Sequence, residues 1–99
     1  MTKPIITRDD TDTKARYVAV VEGVEGTGEL TLSKLNETTV IVDHTATPDS
    51  MRGMGVASAL AERVIEDARD AGQTIIPLCP FLKSYAQRHP DRVAGVIKV

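Results

Sequence analysis

The sequence predicts an α+β fold in which an antiparallel strand meander is followed by an α-β-α segment. Three observations predict it. Apolar, β-branched and alternating runs fill residues 15–45, a glycine-bearing break follows near Gly53 and Gly55, and the period then becomes that of an amphipathic helix. At 99 residues the chain has room for one domain with one core.

Each element can be justified in order. The first 14 residues are polar and charged, with Pro4 and the cluster Arg8-Asp9-Asp10-Thr11-Asp12. They read as a flexible N-terminal tail, or at most a weak leading strand. Residues 15–99 are then the single folded domain. Ala15–Glu22 is apolar and β-branched, a strand with both faces partly covered. Gly23, Gly26 and Gly28 belong to the turn after it. Glu29–Leu35 alternates with period two, which puts Leu30, Leu32 and Leu35 near one core face. Asn36-Glu37 turns the chain, and Thr38–Thr45 is a third strand.

From Val56 the apolar positions Val56, Leu60, Val64, Ile65 and Ala68 recur at helical spacing, with Glu62, Arg63, Glu66, Asp67 and Asp70 on the opposite face. Gly72 suits the C-terminal cap. Thr74–Leu78 is a short apolar strand. Pro80 opens a second helix, which Pro90 stops near His89. Val93–Val99 is read as a last short strand.

Composition removes several classes of function. A net charge of −2 gives no broad basic surface for nucleic acid, and three aromatic residues without Trp give no stacking platform. No run approaches the length of apolar sequence that crosses a bilayer, so no membrane role is expected. The N-terminus has no apolar stretch followed by a small-residue cleavage site. The one cysteine permits no internal disulfide, so a cytoplasmic location is expected. With one cysteine and two separated histidines, no metal site is expected.

Chemistry concentrates at Arg52-Gly53-Met54-Gly55-Val56-Ala57, between a strand and the long helix. The glycines allow a tight turn and a close ligand approach. The free N–H groups of the first helical turn, the helix dipole and Arg52 then suit a phosphate or pyrophosphate. A loop that merely turns the chain would read the same way. It is neither a P-loop nor a dinucleotide-binding G-x-G-x-x-G.

Arg52, Gly55 and Ala57 do match Arg/Gln-x-x-Gly-x-Gly/Ala, and so the loop resembles the acetyl-CoA pyrophosphate loop of the GNAT N-acetyltransferase superfamily. His44-Thr45, Ile76-Pro77-Leu78-Cys79-Pro80-Phe81 and Arg88-His89-Pro90-Asp91 are similar to that superfamily's small single-domain branch. The resemblance covers roughly residues 15–92. It implies a minimal GNAT-like acetyltransferase core with a splayed strand pair binding CoA. Acetyl-CoA would lie with its pantetheine near Thr45, Ala46 and Thr47 and its pyrophosphate on Arg52, Gly53, Met54, Gly55, Val56 and Ala57. The implied activity is acetyl transfer to an amine: a protein lysine, a terminal amine or a polyamine. A CoA- or acyl-CoA-binding module without efficient catalysis is the alternative, and a monomer or weak dimer is expected.

The resemblance also assigns roles. Cys79, just before a helix that begins at Pro80, is the candidate acyl-accepting nucleophile, since helix N-termini favour thiolates. A buried small apolar residue is its bland counterpart. Relatives commonly carry an acid after His-Thr, where this chain has Ala46. His44 shares a strand face with Ala46 and is a candidate base in its place, or else a structural histidine. Tyr85 lies near the position from which many members protonate the departing thiolate, and equally suits packing. Arg92 replaces an aromatic that relatives often have after His-Pro-acid.

Overall fold

Five strands form one sheet, in the order β1-β2-β3-β4-β5, in the computed structural model of the chain, which describes residues 3–97. They are β1 (Ile5–Asp10), β2 (Lys14–Val20), β3 (Gly28–Asn36), β4 (Thr39–Ala46) and β5 (Thr74–Pro77). Helices α1 (Val56–Ala71), α2 (Pro80–Arg88) and the short α3 (Pro90–Val93) complete the described fold, with a 3-10 turn at Asp49–Met51. The first four strands are an antiparallel meander. Helix α1 is the crossover that brings β5 parallel to β4.

One face of the sheet is covered. Alternation places Ala15, Tyr17 and Ala19 of β2, Leu30 and Leu32 of β3, and Val40 and Val42 of β4 beneath the helices, all buried. Helix α1 lays Val56, Leu60, Val64 and Ala68 into the same core. Its small Ala61 lets it sit close. Gly72, with φ +70°, ends it as expected: the N–H groups of Gly72 and Gln73 close onto Arg69 and Ala68. The opposite face holds no buried residue among those described. Arg16, Val20, His44, Ala46 and Ile76 on that face are all exposed.

Three expectations need correction. The N-terminal tail is in part a strand: Ile5–Asp10 pairs with β2 from Ile5↔Val20 to Asp10↔Ala15. Arg8 accounts for the order. Its guanidinium donates to the Tyr17 hydroxyl at 2.7 Å, and that hydroxyl donates to Asp67 of α1, also at 2.7 Å. Edge strand, neighbouring strand and helix are thereby tied together.

The last strand is not formed within the described residues. Pro90 at the first helical position and Asp91 in the first turn favour α3. A turn through Gly95, with φ +80°, then brings Val96 alongside β5, where its carbonyl accepts from Ile75 N at 2.8 Å. Lys98 and Val99 lie outside the described residues. Leu35 is also not in the core. It is the extra residue of a bulge between Lys34 and Asn36 and is 58% exposed.

Candidate functional site

The parallel pairing of β4 with β5 runs only from Thr39↔Thr74 to Val42↔Pro77. At that point the strands part. Pro77 cannot donate to a ladder, and Pro80 starts α2 three residues later. The N–H groups of Leu78 and Cys79 both turn onto the Val42 carbonyl, each at 3.1 Å. Beyond Val42, β4 keeps β3 as its strand partner, and its outer edge faces a gap.

A bulge determines what lines this gap. Leu32 pairs with Val42 and Thr31 with His44, so Asp43 is an extra residue on β4. Unbroken alternation from Val40 and Val42 would send His44 to the helix side. The extra residue sends Thr45 there instead, opposite the buried Leu30. The Cys79 thiol, at the N-cap of α2 and 2% exposed, donates to Thr45 Oγ1 at 3.2 Å. His44 and Ala46 stand on the open face, paired with Thr31 and Glu29. The two candidate catalytic residues therefore lie on opposite faces of the sheet, and Cys79 meets Thr45 rather than His44.

The loop before α1 is held from below. Met51 is buried in the core, and its carbonyl accepts from Met54 N at 3.2 Å. Ser50 Oγ donates to the Glu25 carbonyl at 2.6 Å, which ties the loop to the β2–β3 turn. Gly53 and Gly55 both have positive φ, +80° and +74°, and a side chain built on either would meet no atom within 4 Å. Arg52 and Met54 are exposed, and the Arg52 guanidinium is 3.3 Å from Asp49.

Helix α1 begins with no side-chain cap and no acidic residue in its first turn. The N–H groups of Val56, Ala57 and Ser58 therefore have no intrahelical acceptor. Left-handed glycines, open space and free amides form a cradle into which an anion fits without displacing side chains.

Tyr85 sits elsewhere. Its hydroxyl donates to Glu62 of α1 at 3.2 Å and accepts from Arg92 at 3.3 Å, in a cleft lined also by Ile65, Glu66 and Arg69. Arg92 reaches Glu62 as well, at 2.8 Å. The residue that replaces an aromatic thus closes a polar cluster between the helices. Thr47 is exposed just before the loop. A groove of about 430 Å³ along β5, between Thr74–Pro77 and Gly95–Ile97, contains none of the sequence-predicted site residues.

Sequence reasoning missed the loop's supports. Gly28 begins β3 instead of belonging to the turn, and a side chain there would come within 2.7 Å of Val56 Cγ1. At Gly26 a side chain would be 3.0 Å from Pro48 Cγ. The signal was present in the spacing Gly26-x-Gly28, but only contact with residues twenty or more positions away gives it meaning.

The sequence itself matches a known family. A family profile described as GCN5-related N-acetyl-transferase matches residues 16–96. No curated protein matches the chain. The profile spans β2 through the turn after α3 and takes in the parted strands, Cys79 and the glycine loop. With most of its length matched and its core arranged in that way, the chain belongs to the GCN5-related N-acetyltransferase family.

Proposed function

We propose that this chain is an acetyl-CoA-dependent N-acetyltransferase that moves an acetyl group onto an amine. The observation that carries the reading is the gap beyond Val42 and Pro77, adjoining the uncapped start of α1. The amides of Val56, Ala57 and Ser58, the helix dipole and the exposed Arg52 supply positive potential for a pyrophosphate. The outer edge of Asp43–Ala46 offers backbone groups to the amides of a pantetheine arm. Acetyl-CoA supplies the activated thioester, and the chain's residues bind and orient it. The open sheet face gives the acceptor no enclosing wall, which suits a lysine or terminal amine on a macromolecule, or a polyamine.

Cys79 separates two routes. As an acyl carrier it would take the acetyl group and pass it on; in direct transfer it only lines the gap beside Thr45. Its burial favours direct transfer, and the missing carboxylate at Ala46 favours the carrier route. Ala46 also favours a second reading, an acyl-CoA-binding module without efficient turnover.

The test is acetyl-CoA with a lysine peptide or a polyamine, followed by thiol release and by intact-protein mass. Amine-dependent release of CoA supports the transferase. A gain of about 42 Da that hydroxylamine removes and Cys79→Ala lacks assigns the carrier route. Binding of CoA without release supports the module, and no binding overturns both readings.

A further inference from the structure

We infer that the acceptor is a lysine of a polypeptide that carries a large apolar residue two positions away, and that this residue rests on Ile41, Ile76 and Leu78. The inference rests on the N-acetyltransferase reading above and decides among the acceptors it leaves open.

The vertex of the gap opens onto the bare face of the sheet. Val42 and Pro77 are the last paired residues of β4 and β5, and the outer edge of β4 beyond them is the place for the cofactor arm. On the helix side the vertex is shut. There the Cys79 thiol meets Thr45 Oγ1 at 3.2 Å, Cys79 is 2% exposed, and α2 starts at the next residue. An amine therefore comes in over the bare face.

The surface it crosses is apolar. Ile41 and Ile76 are direct partners, one pair before the strands part, so their backbones run roughly 5 Å apart on that face. Leu78 lies two residues beyond Ile76, at the vertex, roughly 7 Å further on. Ile76 is 41% exposed, Leu78 63%, and Ile41 is half-buried. An extended segment that points a lysine into the vertex points its next-but-one side chain the same way, about 7 Å along. That spacing sets the second side chain over Ile41 and Ile76.

Charge does not serve the same purpose. The two carboxylates nearest the gap on this face are already engaged. Asp43 accepts from Ser33 Oγ at 2.9 Å, and Lys14 backs that hydroxyl at 3.2 Å. Glu29 accepts from Arg16 Nε at 2.8 Å. A polyamine would have to displace these partners, whereas burial of an apolar side chain displaces only water. A small apolar amine gains little here, because sites for small molecules enclose most of the ligand and this strip lies on an open sheet. A polypeptide covers the strip and the polar strands around it together.

The experiment follows CoA release from acetyl-CoA with two lysine peptides and with spermidine. One peptide carries Leu two positions before and two positions after the lysine; the other carries Ser at both. Wild type is expected to favour the Leu peptide by about ten-fold in kcat/KM, with spermidine poorer than that peptide. Ile76→Thr combined with Leu78→Ser changes two exposed side chains. It should abolish the preference while leaving the Ser peptide and the KM for acetyl-CoA unchanged. Equal rates on the two peptides overturn the inference, as does a preference that survives in the double variant or spermidine outpacing both peptides. A loss on both peptides alike also overturns it, because the strip would then serve the gap and not the acceptor. If wild type releases no CoA with any amine, the N-acetyltransferase reading falls and takes this inference with it.

Discussion

The Cys79 thiol and the Thr45 hydroxyl, 3.2 Å apart, join the start of α2 to the half of β4 that has left β5. The bond spans the point where the two strands diverge, beside the two backbone bonds that Leu78 and Cys79 donate to the Val42 carbonyl. Thr45→Val removes the acceptor, keeps the shape and leaves a buried thiol without a partner. We expect a loss of about 1 kcal/mol in urea unfolding. A Thr45→Val chain as stable as wild type would show that this contact carries no load.

The cradle at Gly55 gives a sharper test. With φ +74° and nothing within 4 Å, this position has the space for a side chain but not the backbone freedom. Gly55→Ala should cost about 1–2 kcal/mol from the left-handed conformation alone. Gly55→Glu adds a negative charge among the amides meant for phosphate and should raise the Kd for CoA by at least about 100-fold. Calorimetric titration of both variants separates the backbone cost from the charge. Normal CoA binding by Gly55→Glu would overturn the loop assignment.

Gly28 should behave in the opposite way. Its backbone conformation is ordinary, yet a Cβ would meet Val56 Cγ1 at 2.7 Å. Gly28→Ala is therefore expected to lose about 1–3 kcal/mol through overpacking. Val56→Ala added to it removes the opposing methyl groups, so the double variant should be more stable than additivity predicts. Thermal unfolding of the four chains measures the coupling.

The link among Arg8, Tyr17 and Asp67 sets a pH dependence. Burial, reinforced by the bond to Asp67, holds the Tyr17 phenol pKa well above its ordinary value. A group raised in the folded state contributes stability below its unfolded pKa, here about 10, and loses it as pH rises toward the folded value. Tyr17→Phe should cost about 1 kcal/mol at neutral pH. The gap between wild type and variant should narrow above about pH 10, as unfolded wild type ionises first. Urea midpoints measured on both sides of that pH would show it. A constant gap would exclude Tyr17 as the titrating group.

Much of the fold was legible because its signals are local. Period two in Glu29–Leu35, β-branching in Thr38–Thr45 and helical spacing from Val56 needed no knowledge of partners. The glycine cap at Gly72 and the proline start at Pro80 were equally local. The errors share one origin: β1 is polar by composition and is ordered through Arg8 reaching across two elements, which no nearby residue announces. Strict alternation from Leu30 and Leu32 reaches Lys34 and not Leu35, and the face that His44 takes is set by a bulge, which depends on the partner strand. For the site, the loop from Arg52 to Ala57 was readable from its glycines. That Cys79 meets Thr45, while Tyr85 is held by Glu62 and Arg92, required the packing of helices on the sheet.

The extra residue at Asp43 acts as a parity switch. Before it, β4 is an ordinary wall of the core, with Val40 and Val42 turned inward. After it, consecutive residues of one strand serve separate layers, Thr45 the helical side and His44 and Ala46 the bare side. A chain of this size thereby gains two working surfaces without another helix. Deleting Asp43 would close the bulge without exchanging their occupants, because Val42, His44 and Thr45 would then alternate in, out and in against Leu32, Thr31 and Leu30.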